Sequence, residues 1–565
     1  MNSTIAAFWG RQRNDLIRLL QEPFLLFVAL AILAGLAIFV LYPLYSTIKL
    51  SLFPGDSFSF DIYRYIAEHS RFRKAIVNSV LLGAIVATVG TLVAFLFAYT
   101  LTRIRIPGGR FFKGMVLMPI ISPPFMFALS VILLFGRNGL ITLGLFGIED
   151  VNIYGLPGLI IVQSTSLFPL GFLVLIGILQ AIDPDLETCA MNLGAKRWKT
   201  FTTVTLPLAA PGILAAWLLI FVQSLTDFGN PIIIGGEFDV LSVQAYLEFV
   251  GMGNLPRGAG LAIVLLIPTV SFFMLQKYIL RKKSYVTITG KSTRRSILTL
   301  PTSGKIILST ACILISLFIL MFYVTIFIGS FVKIWGINWD FTLDHYVYSI
   351  DVGMETISDT VLLAGIATPI TAILGMTIAF LVARKAFPGK HLMEILSLMM
   401  FAIPGTAVGI GYIISFNDGP VVLTGTMYIL LACYIFRNVP IGVESGIAAL
   451  SQISKDIEES STNLGATSAK TFATITLPLI TPSFFSGATF AFVKCMTSLS
   501  AIIFLVSASW KHITALILAQ TENMLLGQAY ALSVILICII MIGFSILKKF
   551  TALGQKRIFG KISHE

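Results

Sequence analysis

The sequence predicts an all-α integral membrane protein built from two tandem repeats of six transmembrane helices. Hydrophobic residues make up 56% of the chain and charged residues only 12%, at a mean hydropathy of +0.91. Soluble domains carry about 25% charged residues, so this composition excludes an ordinary soluble protein. Apolar runs of roughly 20 residues, enough to span a bilayer, recur along the 565 residues. The sequence of one polar loop also occurs twice, 271 positions apart.

Twelve apolar runs are expected to form one helix each. In the first half they are residues 24–46, 77–102, 114–136, 157–181, 211–226 and 258–280. In the second half they are residues 306–331, 358–383, 392–416, 421–446, 482–508 and 527–547. The first run is longer than the apolar part of a secretory signal, so we expect it to remain as a helix. Prolines inside the runs, among them Pro123 and Pro404, predict kinks.

The duplication is clearest between residues 179–212 and 450–483, where 17 of 34 positions are identical. Further upstream the repeat continues at an offset of 281, so that Arg103 matches Arg384. Six spans per repeat is an even number, so the two halves should have the same orientation. We therefore expect a pseudo-two-fold axis along the membrane normal, with a pathway between the halves.

Three regions are predicted. Residues 1–283 form the first repeat, with the duplicated loop at 182–211, and residues 305–565 form the second, with the loop at 453–482. Residues 284–304 form a basic linker between them.

The net charge of +12 is concentrated on one side of this topology. Basic residues crowd the middle of the chain without an acidic residue among them: Lys277, Arg281, Lys282, Lys283, Lys291, Arg294, Arg295 and Lys305. By the positive-inside rule that side is the cytoplasm, and both termini are expected there. The charge therefore follows membrane topology, and we expect no nucleic-acid partner.

No catalytic or cofactor motif is found. The five cysteines have no metal-binding spacing and indicate no disulfide framework. The sequence Gly290-Lys291-Ser292 lacks the first glycine of a phosphate-binding loop, since Tyr285 occupies that position. We expect no enzyme activity, no catalytic residue, no metal and no bound cofactor in this chain.

The duplicated loop has the features of a docking element. Each copy has an acidic stretch, a Leu-Gly-Ala turn, a phenylalanine that could anchor in a partner's pocket, and a Leu-Pro-Leu segment leading into the next span. A single copy could be an ordinary interfacial connector, but two copies in register favour docking. The candidate residues are Glu187, Leu193, Gly194, Ala195, Phe201, Pro207, Glu458, Glu459, Leu464, Gly465, Ala466, Phe472 and Pro478.

This pattern resembles the "EAA" loop of binding-protein-dependent ABC import permeases, written E-A-A-x-x-x-G and followed by an I-x-L-P stretch. The E-A-A positions read Thr188-Cys189-Ala190 and Glu459-Ser460-Ser461, so both copies depart from the pattern, while Leu-Gly-Ala and Leu-Pro are intact. The resemblance covers nearly the whole chain. It is greatest to the fused, double-length permeases of the ferric-iron uptake type.

The resemblance implies a type I permease fold in a bacterial inner membrane. Each duplicated loop would be a coupling helix seated on a separate ATPase subunit, giving two ATPase copies that bind ATP and magnesium. Cargo would arrive on an extracytoplasmic binding protein. Ferric iron is the first expectation for that cargo; thiamine, phosphonates, sugar phosphates and polyamines are the alternatives.

Four polar residues are candidates for the pathway, since ionisable groups inside membranes are functional by default. Arg437 and Lys494 lie within predicted spans, and Lys494 is opposite Gln223 in the repeat alignment. Asp227 and Asn230 mark the outer end of the fifth span. Interhelical hydrogen bonding or helix capping would explain the same residues.

Two rival classes remain. A secondary carrier would need coupling-ion carboxylates deep in the spans, and a membrane-embedded enzyme would need polar catalytic residues at one depth. The sequence has almost no such carboxylate, and no such catalytic set can be assembled from it.

Overall fold

The computed structural model describes residues 23–282 and 302–562, apart from residues 56, 105, 107, 124, 419, 420 and 467. Residues 284–301 of the predicted basic linker lie outside this part, as do residues 1–22 and 563–565. The region boundaries and the side on which the termini lie therefore stay predictions.

Helices make up almost the whole described chain. In the first half they are Pro23–Leu36, Tyr42–Leu52, Asp61–Glu68, Ser70–Arg103, Gly109–Ile121, Met126–Phe135, Leu156–Ala181, Pro184–Asn192, Arg197–Thr200, Leu206–Thr226, Gly229–Ile234, Leu241–Tyr246 and Leu255–Lys282. In the second half they are Thr302–Gly329, Asp344–Arg384, Lys390–Met399, Gly405–Phe416, Met427–Ser451, Lys455–Asn463, Ser468–Thr471, Leu477–Met496, Ile502–Leu505, Ile513–Glu522 and Leu526–Ile562. Five π-helical turns join or extend them: Ala37–Leu41, Leu140–Leu145, Phe201–Thr205, Leu247–Gly251 and Phe472–Thr476. A short antiparallel hairpin pairs Val332–Ile334 with Asn338–Phe341.

The prediction of a helical membrane protein is confirmed, although its details change. Within the described ranges eleven helices are long and apolar enough to cross a membrane, against twelve expected. The expected span 392–416 is divided into Lys390–Met399 and Gly405–Phe416, because Pro404 cannot donate the hydrogen bond that would continue the helix. The expected span 114–136 is interrupted in the same way beside Pro123.

Three other expected spans have different bounds in the structure. The expected span 421–446 is a helix only from Met427, and it continues to Ser451. The expected span 482–508 ends at Met496, and 211–226 begins earlier, at Leu206. Hydropathy alone locates apolar residues but not the loops that fold back among them.

Each half contains the same three-helix packing. Ser70–Arg103 packs against Leu156–Ala181 and Leu206–Thr226, and Asp344–Arg384 packs in the same manner against Met427–Ser451 and Leu477–Met496. The first pair of helices crosses at small residues in both halves. A Cβ atom at Gly375 would lie 2.8 Å from Gly442 Cα, and one at Gly171 would lie 3.3 Å from Ala94 Cβ.

The first helix of each half packs against the other half. Phe39, on the helical segment Pro23–Leu52, stacks on Phe436 with ring centroids 4.8 Å apart, and its carbonyl accepts a 2.9 Å hydrogen bond from Tyr412 Oη. In the reciprocal contact, Ser130 Oγ donates to the Phe322 carbonyl at 3.0 Å. The two repeats are thus interlocked.

We expect Gly375→Val to destabilise the second half, because the added carbon atoms have no room beside Gly442. Overpacking of this kind costs about 1–3 kcal/mol, which lowers the melting temperature of the purified protein. Gly365→Val, on the same helix, is the matched control, since nothing lies within 4 Å of a Cβ atom there. Equal melting temperatures for the two variants would contradict the tight crossing.

Candidate coupling loops and pathway

The two copies of the duplicated loop fold into matching short helices, Pro184–Asn192 and Lys455–Asn463, which we call the coupling helices. The first begins where the Asp183 side chain accepts a 3.0 Å hydrogen bond from the Asp185 amide. Two residues after the end of each helix is a glycine with positive φ: Gly194 at 88° and Gly465 at 85°. Side-chain-bearing residues rarely adopt this conformation, which explains why both copies keep glycine.

The residue before each glycine projects outward. The leucines Leu193 and Leu464 are each 89% exposed, and Trp198 beside the first coupling helix is 75% exposed. The alanines that follow, Ala195 and Ala466, instead turn the chain back by bonding their amides to carbonyls of their own coupling helices. Exposed apolar side chains at the tip of a polar loop are typical of a docking surface.

A buried ion pair fastens the first coupling helix to the transmembrane helices. Arg103 Nε donates to Glu187 Oε1 at 3.1 Å, and both side chains are at most 3% exposed. Thr205 Oγ1 donates to the same oxygen at 2.8 Å, and Arg103 Nη2 donates to the Ile182 carbonyl at 3.3 Å. We call this set the first clasp.

The second half repeats the arrangement. Arg384 Nε donates to Glu458 Oε1 at 3.2 Å, and Thr476 Oγ1 donates to that oxygen at 3.0 Å. Arg384 Nη2 also donates to the carbonyls of Leu450 and Ile453, both at 2.9 Å. This second clasp is a little more open, with side-chain exposures of 8% and 19% for the arginine and glutamate.

The clasps change the interpretation of Glu187 and Glu458. The sequence placed them among residues for docking a partner, but their carboxylates face inward and bind the permease's own arginines. Glu459, by contrast, is exposed on its coupling helix. In the sequence, the clasps were indicated by the correspondence of Arg103 with Arg384 in the duplication. The glutamates that pair with these arginines are revealed only by the fold.

Phe201 has partners within this chain. It packs against Tyr99 and Trp198, with ring centroids 5.5 and 5.7 Å away, and is partly buried, while its role as an anchor stays a prediction. The side chain of Phe472 lies outside the described part. Pro207 and Pro478 sit in the first turn of their helices after a π-helical turn, where a missing N–H is tolerated.

The first half contributes a polar cluster where the helix Leu206–Thr226 ends. Asp227 Oδ2 accepts hydrogen bonds from Gln163 Nε2 at 2.9 Å and Asn230 Nδ2 at 2.8 Å. Gln163 Oε1 in turn accepts a hydrogen bond from Ser224 Oγ at 2.5 Å. The cluster therefore satisfies the carboxylate internally and fixes Asn230 beside it.

All four pathway candidates line cavities between the halves. A cavity of about 180 Å³ is lined by Asp227, Asn230, Arg437 and Lys494 among others. Arg437 and Lys494 also line a larger cavity of about 1250 Å³. The larger cavity includes Lys277, near the end of its helix, and Glu444, on the helix that ends at Ser451 beside the second clasp. The structure thus brings the four residues together, while their roles stay predictions.

We expect Glu187→Ala to loosen the first coupling loop. Removing one partner of a buried ion pair costs about 3–5 kcal/mol, because Arg103 would be left buried without its carboxylate. Tryptic cleavage at Lys196, Arg197 and Lys199 should therefore be faster than in the parent protein. Glu459→Ala, which removes an exposed carboxylate, is the control, and equal cleavage rates would argue against the clasp.

Comparison with known proteins gives the family. Residues 87–285 and 372–552 each match the binding-protein-dependent transport system inner membrane component family. The chain is 35% identical over 530 residues to the ferric transport system permease protein FbpB of Actinobacillus pleuropneumoniae, covering 92% of this chain and 77% of that protein. It is also 35% identical over 497 residues to the putative ferric transport system permease protein FbpB 1 of Haemophilus influenzae, covering 86% and 79% respectively.

A solved bacterial ABC transporter involved in the import of alginate is 19% identical, covering 47% of this chain and 98% of that chain at a TM-score of 0.42. The family assignment comes from the two matched segments, one in each half, and from the relatives that match along most of the chain. This chain therefore belongs to the binding-protein-dependent transport system inner membrane components, as a non-catalytic, multi-pass permease subunit of an ABC importer in the inner membrane.

Proposed function

We propose that this permease carries ferric iron. The observation that supports this cargo most strongly is the 35% identity along 92% of the chain to a protein named as a ferric transport permease. Thiamine, phosphonates, sugar phosphates and polyamines are the alternative cargoes. An extracytoplasmic binding protein would deliver the iron, in keeping with the binding-protein-dependent family.

We further propose that the permease docks two copies of one ATPase, which bind ATP and magnesium. Two features support this stoichiometry: the coupling helices Pro184–Asn192 and Lys455–Asn463 match in sequence, and each presents a leucine that is 89% exposed. A pair of equivalent docking surfaces on one chain fits two equivalent partners.

The clasps connect each coupling helix to a transmembrane helix that reaches the cavities. Pro207 and Gln223 are 16 residues apart on one helix, about 24 Å at the helical rise of 1.5 Å per residue. Pro478 and Lys494 have the same separation in the second half. Movement of a coupling helix would therefore be passed along one continuous helix to residues that line the cavities.

We expect Leu193→Asp and Leu464→Asp each to weaken ATPase docking, because each places a charge in an apolar contact. Loss of an interface anchor costs about 2 kcal/mol or more, close to a thirtyfold loss of affinity. The measurement is the native mass of the gently purified complex with its chains identified. Leu343→Asp, at a position 52% exposed between the hairpin and the helix Asp344–Arg384, is the control.

For the native protein we expect a mass equal to one permease and two ATPases, and ATP-dependent uptake of ⁵⁵Fe by proteoliposomes that hold the complete importer. Competition by an excess of thiamine, phosphonate, sugar phosphate or polyamine would instead identify one of those as cargo. A lone permease that moves solute without ATP would rule out the importer in favour of a secondary carrier.

A further inference from the structure

The two cavities share one wall. Of the described residues, six line both the smaller and the larger cavity: Leu170, Gln223, Thr226, Arg437, Asn438 and Lys494. A solute that passes from one cavity to the other must pass these side chains. Two of the six carry a charge, Arg437 and Lys494, and both charges are positive.

Both of these positive charges belong to the second half of the chain. At the 271-residue offset of the duplication, Arg437 corresponds to Ser166 and Lys494 corresponds to Gln223. All four line the smaller cavity. The first half therefore presents neutral hydrogen-bonding groups at the two positions where the second half presents cations, which makes the junction both asymmetric and positive.

Neither cation is paired with a carboxylate within 4 Å in the described part of the chain. Arg437 Nη2 donates to Ser500 Oγ at 3.2 Å, while Nη1 is buried and has no acceptor among the described residues. The ammonium nitrogen of Lys494 lies 5.7 Å from the ring centre of Phe490. The nearby Asp227 carboxylate is held by Gln163 and Asn230. The two positive charges are thus available to a ligand.

A second feature adds to the positive potential. The Arg437 guanidinium packs on Gly405, where a Cβ atom would lie 2.5 Å from Nη1. Gly405 begins the twelve-residue helix Gly405–Phe416, and the N-terminus of a helix favours anions. A bare trivalent cation would be repelled at this point, whereas an anionic group would be attracted by both side chains and by the helix.

We propose that Arg437 and Lys494 form a binding site for an oxyanion at the junction of the two cavities, and that the cargo passes this point with oxyanion groups on its surface. The planar guanidinium matches the two oxygens of a carboxylate or phosphate, and the ammonium supplies a point charge beside it. The inference that this cargo contains iron rests on the proposed function. The inference of an anion site rests on the geometry of the cavities.

The test is a two-label uptake experiment with proteoliposomes that hold the complete importer. Its binding protein is loaded with ⁵⁵Fe together with [³²P]phosphate in one arm and [¹⁴C]citrate in another, and a third arm contains [³²P]phosphate without iron. We expect ATP-driven entry of iron together with at least one of the labelled anions. Iron that enters with neither label would overturn the proposal and leave iron import intact.

Variants test the two side chains. Lys494→Gln and Arg437→Ser install the first half's residues, and each should lower the uptake rate about tenfold or more, as for the loss of one charged hydrogen bond. Lys494→Arg should retain uptake because it keeps the charge. Lys511→Gln removes an exposed cation that pairs with Glu355 outside both cavities, and it should behave as the parent protein.

The outcomes separate the two proposals. Wild-type rates in both neutral variants, each assembled normally with the ATPase, would overturn the anion site. Entry of [³²P]phosphate without any uptake of iron would support the anion site as one for free oxyanions while overturning the ferric cargo.

Discussion

A carboxylate buried at the base of a helix bundle must be paired, and in this protein that requirement determines the geometry of the surface loops. Glu187 reaches back to an arginine 84 residues earlier in the chain, and the equivalent pair in the second half is 74 residues apart. Each pair joins the coupling helix to the end of one transmembrane helix, and a threonine joins it to the start of another. Without the pair, the exposed leucine would be attached to a loop that lacks its ionic connection to the transmembrane helices.

The two halves agree in the residues that hold the helices and loops together, and they differ at several positions that line the cavities. The clasps, the positive-φ glycines and the small-residue helix crossings occur in both halves. The cavity positions differ: Asp227 corresponds to Ser498, Gln223 to Lys494 and Ser166 to Arg437. A pathway between two halves needs no internal symmetry, because a small solute contacts both walls at once and can use different groups from each.

Much of this arrangement could be predicted from the sequence. Hydropathy located nearly all the long helices, and the repeated Leu-Gly-Ala and Leu-Pro-Leu segments located both coupling helices. The break near Pro404 could not be told from a kink, since an apolar segment divided into two short helices has the same composition as one kinked helix. The clasps depend on residues far apart in sequence, and Phe201 could be recognised as packed within this chain only once its neighbours Tyr99 and Trp198 were placed.

The interlocked first helices have a consequence for biogenesis. A ribosome completes Pro23–Leu52 long before it makes Gly405–Phe416 and Met427–Ser451, the segments that this helix packs against. Until those segments are made, lipid covers the surface of the first helix that they will contact, while Tyr42–Leu52 can already pack against Leu255–Lys282 of its own half. Its packing surface is apolar, so lipid is an adequate temporary partner, and folding of the first repeat is completed only when the second has been inserted.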